Sequence, residues 1–379
     1  MPVQRKLKMG IIGGGPGSFI GPVHYKAAIL DNKVEVVAGA FSRDEVKSKK
    51  TGRQLFLNPR RVYHNYADML ESEKILPTGE RIDFVTIATP NETHFMIAKE
   101  ALKAGFHVMC EKPMTMNVDE ARELQKIVDS TGKTFALMHN YTGYPMVKLA
   151  RDMVRKGKLG EIRKIIVQYP QGRHKNPLNH LKERKSGSIE DIGTHAENLT
   201  EYITGLHMSE VCADLQILKE EPKLDYDGSC LVKFANGSRG IIQFSKIAMG
   251  EENNLGIWVY GSEKSIEWHQ EQPNILKLYE PESPVQTWRR GNDYIAKVSP
   301  AAARASRLPG GHPEAFLEAF ANIYRNFCDT IIQSSSGREI SAVMNDFPKV
   351  SDGLRGMLFV DTVLKSAVSD EKWTKMPKR

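Results

Sequence analysis

Lys8-Met-Gly-Ile-Ile-Gly13-Gly-Gly-Pro-Gly-Ser18-Phe-Ile-Gly21 is the stretch that decides the fold, because it joins an apolar run to a glycine-rich turn. Glycines between a first strand and a first helix let backbone N–H groups approach a pyrophosphate at the positive end of the helix. Gly13 and Gly15 fit the first two positions of the pattern G-x-G-x-x-G. The third falls on Ser18, or on Gly21 after a short insertion. Such a turn can be a plain connection, but its place in the chain favours a dinucleotide site. The candidate contacts are Gly13, Gly15, Gly17, Ser18, Phe19 and Ile20.

Outward from this turn, short apolar runs alternate with helical patterns as far as about residue 150. This alternation is typical of repeated βαβ units around a parallel sheet. Strands are predicted at residues 8–13, 34–40, 83–88, 107–110 and 134–138, with helices at 92–104 and at 118–130, the latter capped by Asn117. We therefore expect residues 1–145 to form a doubly wound, dinucleotide-binding Rossmann domain.

The pattern changes after a predicted helix at 145–156. Strand-like runs at 162–169, 210–218, 228–234, 239–246, 256–260 and 265–268 are joined by hairpin-like signals, including Asn236-Gly237. Residues 146–379 are therefore expected to form an α+β domain with a large, mostly antiparallel open sheet that serves substrate binding and oligomerisation. Helices at 313–334 and 349–368 close the chain, and we expect the region 349–379 to pack back on the first domain.

Composition narrows the functional classes. A chain of 379 residues is long for one core, so two domains are the default. The net charge of +7 would suit an anionic partner, but the basic residues are scattered and no nucleic-acid-binding motif is present. The four cysteines never form a C-x-x-C pair, which argues against a zinc ribbon, a disulfide scaffold and a resident metal. Without a signal-peptide or bilayer-spanning run, we expect a cytoplasmic protein with no membrane partner.

The end of the second predicted strand bears on cofactor choice. In a dinucleotide fold this tip holds the adenosine ribose, and an acidic residue there favours NAD. The chain instead reads Phe41-Ser42-Arg43-Asp44. Ser42 and Arg43 could hold a 2′-phosphate, which would favour NADP; alternatively they are a helix N-cap and a solvated arginine. The sequence therefore leaves both NAD and NADP open.

Two later strands end in polar turns, Thr89-Pro90-Asn91-Glu92-Thr93-His94 and Glu111-Lys112-Pro113. The carboxyl ends of parallel strands face one crevice, so both turns are expected at the ligand edge of the sheet. Pro113 fixes the backbone and allows a cis peptide bond that would aim the lysine inward. A lysine after a strand is usually a solvated turn residue. The neighbouring nucleotide turn makes a catalytic Lys112 the better interpretation.

Asp191-Ile-Gly-Thr-His195 opens a further predicted helix. Residues four apart lie on one helix face, and a carboxylate beside a histidine can orient it and support its charged form. The pair is therefore suited to proton transfer. The plain alternative is an N-capping aspartate with a histidine on a helix face.

Together, Gly10–Gly15, Thr89–His94, Glu111–Pro113 and Asp191–His195 resemble the motifs of the Gfo/Idh/MocA family of oxidoreductases. Leu308-Pro-Gly-Gly-His-Pro-Glu-Ala-Phe316 resembles a late, substrate-side segment of many members, so the resemblance spans essentially the whole chain. It implies a Rossmann domain and an α/β domain whose open sheet often forms dimers or tetramers. It also implies NAD(P)-dependent redox chemistry at a hydroxyl or keto carbon of a sugar, cyclitol or glycoside.

The resemblance also assigns roles. His195 would be the general acid/base, and Lys112 and Asp191 would position and polarise the reacting oxygen. Cofactor contacts would include Thr89, Pro90, Asn91, His94, Glu111, Lys112 and Asn140, in addition to the glycine turn. Tyr141, Tyr169 and His312 are further substrate-side candidates.

One segment departs from the family pattern. Where relatives often carry aromatic and Trp-Arg elements, residues 171–185 form a strongly basic stretch. We hypothesise that some of its side chains bind an anionic group on the substrate, namely Arg173, His174, Lys175 and His180. The alternative is a basic loop with no ligand contact.

Three functions therefore compete. The first is a sugar, cyclitol or glycoside dehydrogenase. The second is a redox-assisted glycosidase that oxidises C3 transiently, eliminates the leaving group, adds water and reduces the product. The third is a ligand-sensing regulator without catalysis, against which the retention of Lys112, Asp191 and His195 argues.

Overall fold

The computed structural model describes residues 5–172, 186–218 and 223–377. Contacts divide the chain into two compact units. The first comprises Met1–Gly143 with Phe316–Leu354, and the second comprises Tyr144–Ala315 with Arg355–Arg379.

Up to residue 143 the chain alternates strands and helices, as predicted. The strands are β1 (Leu7–Gly13), β2 (Val34–Ala40), β3 (Phe84–Ala88), β4 (His107–Cys110) and β5 (Phe135–Leu137). The helices are α1 (Ile20–Ile29), α2 (Glu45–Gln54), α3 (Tyr66–Lys74), α4 (His94–Lys103) and α5 (Val118–Thr131). Short 3₁₀ turns occupy Pro59–Arg61, Asn91–Thr93 and Asn140–Gly143. Helices α2 and α3 were not predicted.

From residue 144 onward the chain contains helices and a second set of strands. The helices are α6 (Pro145–Arg155), α7 (Thr194–Thr204), α8 (Asp293–Val298), α9 (Pro300–Arg304), α10 (Phe316–Ser335) and α11 (Val350–Ala367). The strands are β6 (Ile162–Pro170), β7 (Met208–Ile217), β8 (Asp225–Phe234), β9 (Arg239–Ser245), β10 (Gly256–Gly261), β11 (Ser265–His269), β12 (Ile275–Tyr279), β13 (Gln286–Arg289) and β14 (Thr374–Lys375).

The first unit is built on a parallel five-stranded sheet in the order β2-β1-β3-β4-β5. Every residue of β3 is buried, as expected for a strand whose two faces are both covered. Helix α5 begins where the Asn117 side chain accepts a hydrogen bond from Glu120 N and ends at left-handed Gly132, which confirms its predicted cap. The predicted Rossmann fold is confirmed.

Helix α10 belongs to this unit although it comes late in the chain. Its apolar face packs on the sheet, and the Phe84 and Phe327 rings meet edge to face with centroids 5.2 Å apart. Burying each aromatic side chain contributes roughly 1.5–3 kcal/mol. This packing stabilises α10 against the sheet although the two are far apart in the sequence. Residues 316–354 therefore group with the first unit rather than with the 146–379 domain expected from the sequence, and Arg355–Arg379 group with the second.

The second unit contains a nine-stranded sheet in the order β13-β12-β11-β10-β6-β9-β8-β7-β14. All described neighbours are antiparallel except β6 and β9, which are parallel. The predicted mostly antiparallel sheet is confirmed, although β12, β13 and β14 were missed. Helix α7 packs against β6 and β9. Along β11 and β12 buried residues alternate with partly exposed ones, so one face of these strands is open.

Across the described residues, none of the helices combines the length and the apolar character needed to cross a bilayer.

Candidate functional site

The glycine turn after β1 has a backbone that only glycine adopts easily. Gly13 and Gly14 have φ angles of +85° and +70°, in the left-handed region. A Cβ on Gly13 would lie 2.4 Å from the carbonyl oxygen of Ala88, at the end of β3. A Cβ on Gly15 would lie 2.6 Å from the carbonyl oxygen of Phe41. The turn therefore lies between the ends of β2 and β3 and has no room for a side chain at Gly13 or Gly15.

Gly21 fills the third glycine position. A Cβ there would lie 2.3 Å from Gly14 Cα, so helix α1 contacts the turn backbone directly. Ser18 has another role, since its Oγ accepts a hydrogen bond of 3.1 Å from Gly21 N at the helix start. Of the two spacings considered, the structure therefore supports the one with an insertion before Gly21. This close approach of helix and turn is the feature that brings helix N–H groups to a pyrophosphate.

A cavity of about 710 Å³ opens beside this turn. Eight predicted cofactor contacts line it: Gly13, Gly15, Ser18, Ile20, Ser42, Arg43, Thr89 and Pro90. Other lining residues were missed, among them Phe41, His64, Asn65, Tyr66, Glu92 and Thr93. Asn65 is an N-cap residue, since its side chain accepts a hydrogen bond from Asp68 N at the start of α3. This helix-start signal in the sequence could have located Asn65 and its neighbours on the cavity wall. Phe19 is 75% exposed and lies against Phe316 instead.

At the tip of β2 the helix cap is Asp44, not Ser42. The Asp44 side chain accepts a hydrogen bond of 3.1 Å from Lys47 N, while Ser42 Oγ accepts one from Asp44 N. Ser42 and Arg43 therefore remain on the cavity wall and do not begin the helix.

The predicted catalytic turn follows β4, and its Lys112–Pro113 peptide bond is cis, as the sequence allowed. Glu111 is buried behind the lysine. Its Oε2 accepts a hydrogen bond of 3.0 Å from Lys112 N, and its Oε1 lies 2.9 Å from His24 Nε2. Both carboxylate oxygens thus bind protein groups, so the carboxylate helps to hold the turn.

His94 joins the two polar turns. Its ring is buried, with Nδ1 2.8 Å from the Pro113 carbonyl and Nε2 2.9 Å from the Thr89 carbonyl. Both partners are acceptors, so a neutral ring can donate to only one of them and a protonated ring to both. Asn91 lies in the 3₁₀ turn just before α4. His94 therefore links the turn after β3 to the turn after β4.

The end of β5 supplies two further buried polar groups. Burial, and secondarily the charge of Lys112, lower the pKa of His139 to about 3, so this ring is neutral near pH 7. Asn140 was a predicted cofactor contact, and its Nδ2 is buried without a hydrogen-bond partner among the described residues. A buried amide donor of this kind normally has an acceptor. The glycine cradle and this amide both fit a bound dinucleotide.

In the second unit, Asp191 lies on a π-helical turn, Ile189–Gly193, which continues as α7. The regular helix expected from the sequence is therefore replaced by a wider turn. Asp225, which was not predicted, secures its start. The carboxylate accepts three hydrogen bonds, from Gly187 N at 2.6 Å, Ser188 Oγ at 2.8 Å and Ile189 N at 2.7 Å. Burial raises the pKa of Asp225, and these bonds oppose that rise.

Around this turn the site residues form a polar cluster. Asp191 Oδ2 lies 2.5 Å from the ammonium of Lys246, which was not predicted. His195 is 6% exposed, and the Tyr169 ring lies edge-on to it with centroids 6.2 Å apart. The cluster therefore holds the Asp191–Lys246 ion pair and the His195 ring on neighbouring turns.

The remaining candidates are placed as follows. Tyr141 is buried in the 3₁₀ turn after β5. His312 is exposed, and its carbonyl accepts a hydrogen bond from Arg290. Gly17 has a φ of +88° in the glycine turn. Arg173, His174, Lys175 and His180 lie outside the described residues.

Comparison with known proteins identifies both units. Residues 7–139 match the model of an oxidoreductase family with an NAD-binding Rossmann fold. Residues 147–267 match the GFO/IDH/MocA C-terminal domain. Among curated proteins, an uncharacterised oxidoreductase of Bacillus subtilis (strain 168), YfiI, is 30% identical over 98% of this chain and 97% of its own length.

Two solved structures resemble the whole chain. The crystal structure of an oxidoreductase from Sinorhizobium meliloti has a TM-score of 0.88 and 39% identity, covering 98% of this chain and 100% of that one. An inositol dehydrogenase homolog from Azotobacter vinelandii, complexed with NADH and myo-inositol, has a TM-score of 0.91 and 32% identity, covering 98% of each chain.

Proposed function

Because this chain belongs to the Gfo/Idh/MocA family of NAD-binding oxidoreductases, we propose that it oxidises a secondary hydroxyl of a polyol. The chain is an NAD-dependent oxidoreductase of the sugar or cyclitol dehydrogenase type. The finer proposal concerns the substrate, a cyclitol, sugar or glycoside whose alcohol carbon becomes a keto carbon in a reversible reaction. The observation that carries it is the cluster in which Asp191, paired with Lys246, lies one turn from the buried His195.

Oxidation of an alcohol releases a hydride from carbon and a proton from oxygen. The bound nicotinamide supplies the hydride acceptor. We assign the proton to His195, because imidazole titrates near neutrality and this ring is sheltered by Tyr169. Asp191 is assigned to orient the reacting hydroxyl, and Lys112 to polarise its oxygen through its positive charge.

The polyol class is supported by the myo-inositol in the complex of the 32% identical homolog. An acidic group on the substrate remains part of the proposal and depends on the basic stretch at 173–185, outside the described residues. We also propose a homodimer or homotetramer formed through the open face of the nine-stranded sheet, where Tyr260 on β10 is 37% exposed. Light scattering after size exclusion would test this, and a monomer at micromolar concentration would contradict it.

The test of the function is a substrate panel. The purified protein would be assayed with NAD⁺ and NADP⁺ against myo-inositol, glucose, glucuronate and a methyl glucoside, with reduced cofactor followed by absorbance. We expect turnover of at least one polyol, and a loss of roughly 10²-fold in the chemical step for Lys112→Ala and for His195→Ala. Lys158→Ala and His207→Ala are the exposed controls. Near-normal rates in both site variants would refute the assigned roles.

The same panel separates the alternatives. Release of methanol from the methyl glucoside without net NADH formation would support the redox-assisted glycosidase. Stoichiometric NADH without cleavage would support the dehydrogenase. Tight dinucleotide binding with no turnover of any of these compounds would favour the ligand-sensing regulator.

A further inference from the structure

Lys246 is a buried cation at the predicted catalytic turn that neither the motifs nor the family resemblance assigns. It follows β9 directly and is 8% exposed. Its Nζ lies 2.5 Å from Asp191 Oδ2 and donates a hydrogen bond of 2.6 Å to Gln171 Oε1. An ammonium donates up to three hydrogen bonds, so it can hold both partners at once.

The sheet explains why these residues meet. Strands β6 and β9 are parallel, and their last residues, Pro170 and Ser245, are paired in register. The next residue on each strand is therefore at the same edge, and these residues are Gln171 and Lys246. The backbone N–H of Lys246 also donates to the Tyr226 carbonyl at 2.7 Å, which anchors the base of the side chain.

The polar contacts continue from Lys246 towards the predicted acid/base. Gln171 Nε2 donates to Asn253 Oδ1 at 2.6 Å, and Tyr169 OH donates to the same oxygen at 2.7 Å. The Tyr169 ring is the one that lies against His195. A continuous series of side-chain contacts thus connects the Asp191 carboxylate to Tyr169, whose ring packs against His195.

We propose that Lys246 is a positioning residue that keeps Asp191 ionised and oriented to accept a hydrogen bond from the substrate hydroxyl. This inference rests on the proposed function. Partial removal from water favours the neutral, protonated form of a carboxyl group unless a nearby cation compensates for the lost hydration. A protonated Asp191 would offer a donor where an acceptor is required. Lys246 therefore acts through Asp191 and not on the substrate.

The experiment is a double-mutant cycle on the full-length protein. The variants are Lys246→Met, Asp191→Asn and the combination, assayed with NAD⁺ and the polyol of the panel that is turned over fastest. We expect kcat of Lys246→Met to fall at least about 10-fold, because the hydroxyl is misaligned, while KM for NAD⁺ stays within about twofold. The double variant should be no slower than Asp191→Asn alone. Multiplying effects, or a normal kcat in Lys246→Met, would overturn the inference.

The matched control is Lys233→Met, which removes a lysine paired with Glu210 between neighbouring strands of the same sheet. Its kcat should match that of the wild type. If Asp191→Asn is also fully active, the proposed role of Asp191 fails, and that result is distinct from a failure confined to Lys246.

A second measurement needs no substrate and therefore tests the inference even if the purified protein turns over none of the polyols. Hydrogen–deuterium exchange of residues 187–195 should become faster in Lys246→Met, because Asp191 on this turn loses the ammonium that ties it to the end of β9, and should stay unchanged in Lys233→Met. Unchanged exchange in Lys246→Met would overturn the inference even if no polyol is turned over. A thermal scan of each variant shows whether it folds. If Lys246→Met does not fold, Lys246→Gln replaces it.

Discussion

His24 Nε2 lies 2.9 Å from Glu111 Oε1, and the histidine ring is fully buried. His24 Nδ1 is in turn 2.7 Å from Tyr324 OH, which lies 3.0 Å from Thr86 Oγ1. Burial raises the pKa of Tyr324 well above its usual range, so this phenol stays protonated. A buried chain of side chains therefore runs from α10 through α1 to the turn that carries Lys112.

Breaking this chain at His24 should destabilise the first unit. His24→Leu leaves the Glu111 carboxylate buried without its partner, and we expect a loss of about 3–5 kcal/mol. The double variant His24→Leu/Glu111→Leu should recover part of that loss, because no unpaired charge remains. Tyr324→Phe should cost less, about 1–3 kcal/mol, since only a neutral partner is lost. Thermal unfolding monitored by circular dichroism would measure the order, and a His24→Leu variant as stable as Tyr324→Phe would contradict it.

The contact between Gly14 and Gly21 should control dinucleotide affinity. A Cβ in Gly21→Ala would lie 2.3 Å from Gly14 Cα, so the turn must move away from α1. We expect NADH to bind at least about 10-fold more weakly, because helix N–H groups no longer meet the pyrophosphate. Fluorescence titration with NADH measures this. Gly132→Ala is the control, because its left-handed position at the end of α5 faces open space, and equal affinity in the two variants would refute the prediction.

Arg43 should decide how well NADP is accepted. It lines the cavity beside Ser42, whereas the nearby Asp44 caps α2. A guanidinium pairs well with a phosphate, and a charged hydrogen bond is worth about 1.5–3 kcal/mol. Arg43→Ala should therefore weaken NADPH binding at least about 10-fold and leave NADH within about twofold. Parallel titrations test this. Equal losses for both cofactors would show that Arg43 does not read the 2′-phosphate.

His107 should make the protein less stable in acid. Burial, and secondarily the charge of Lys133, lower the pKa of His107 to about 4, and its Nδ1 accepts a hydrogen bond from Thr134 N. Between pH 6.5 and about 4 the unfolded chain binds more protons at this ring, so stability falls as the pH falls through that window. The slope is at most about 1.4 kcal/mol per pH unit.

His107→Asn keeps an acceptor near Nδ1 without titrating. Thermal scans from pH 7 to pH 4.5 should therefore show a smaller acid loss in this variant than in the wild type. Some loss will remain, because the pKa of buried His139 is lowered in the same direction. His312→Asn, at an exposed histidine, should retain the full loss. An unchanged acid response in His107→Asn would refute the prediction.

Local patterns were enough to predict the strands of the first unit. β2 and β4 begin and end where predicted, because their apolar runs are bounded by turn residues. Helix α2 was missed because it is highly polar, with only three buried residues, Ser48, Thr51 and Gly52. The placement of α10 depends on long-range packing, which no local pattern reports.

Site residues were predictable where they directly follow the end of a strand. The glycine turn and Thr89-Pro90 were found in this way and do line the cavity. Lys246 and Asp225 were not found, because each bonds a residue distant in sequence and nothing local distinguishes it from other charged residues beside strands. Glu111 and His94 are motif residues that the sequence did identify, but their observed contacts are with the turns themselves.

The π-helical turn at Ile189–Gly193 makes this segment sensitive to insertions and deletions. A π turn carries i→i+5 hydrogen bonds, so it is in effect an α-helix with one residue inserted. Deleting that residue would regularise the helix but rotate everything before the deletion by about 100° relative to His195. Asp191 would then turn away from Lys246. When homologous chains are aligned, a single-residue gap between Ser188 and His195 should therefore coincide with the loss of that lysine.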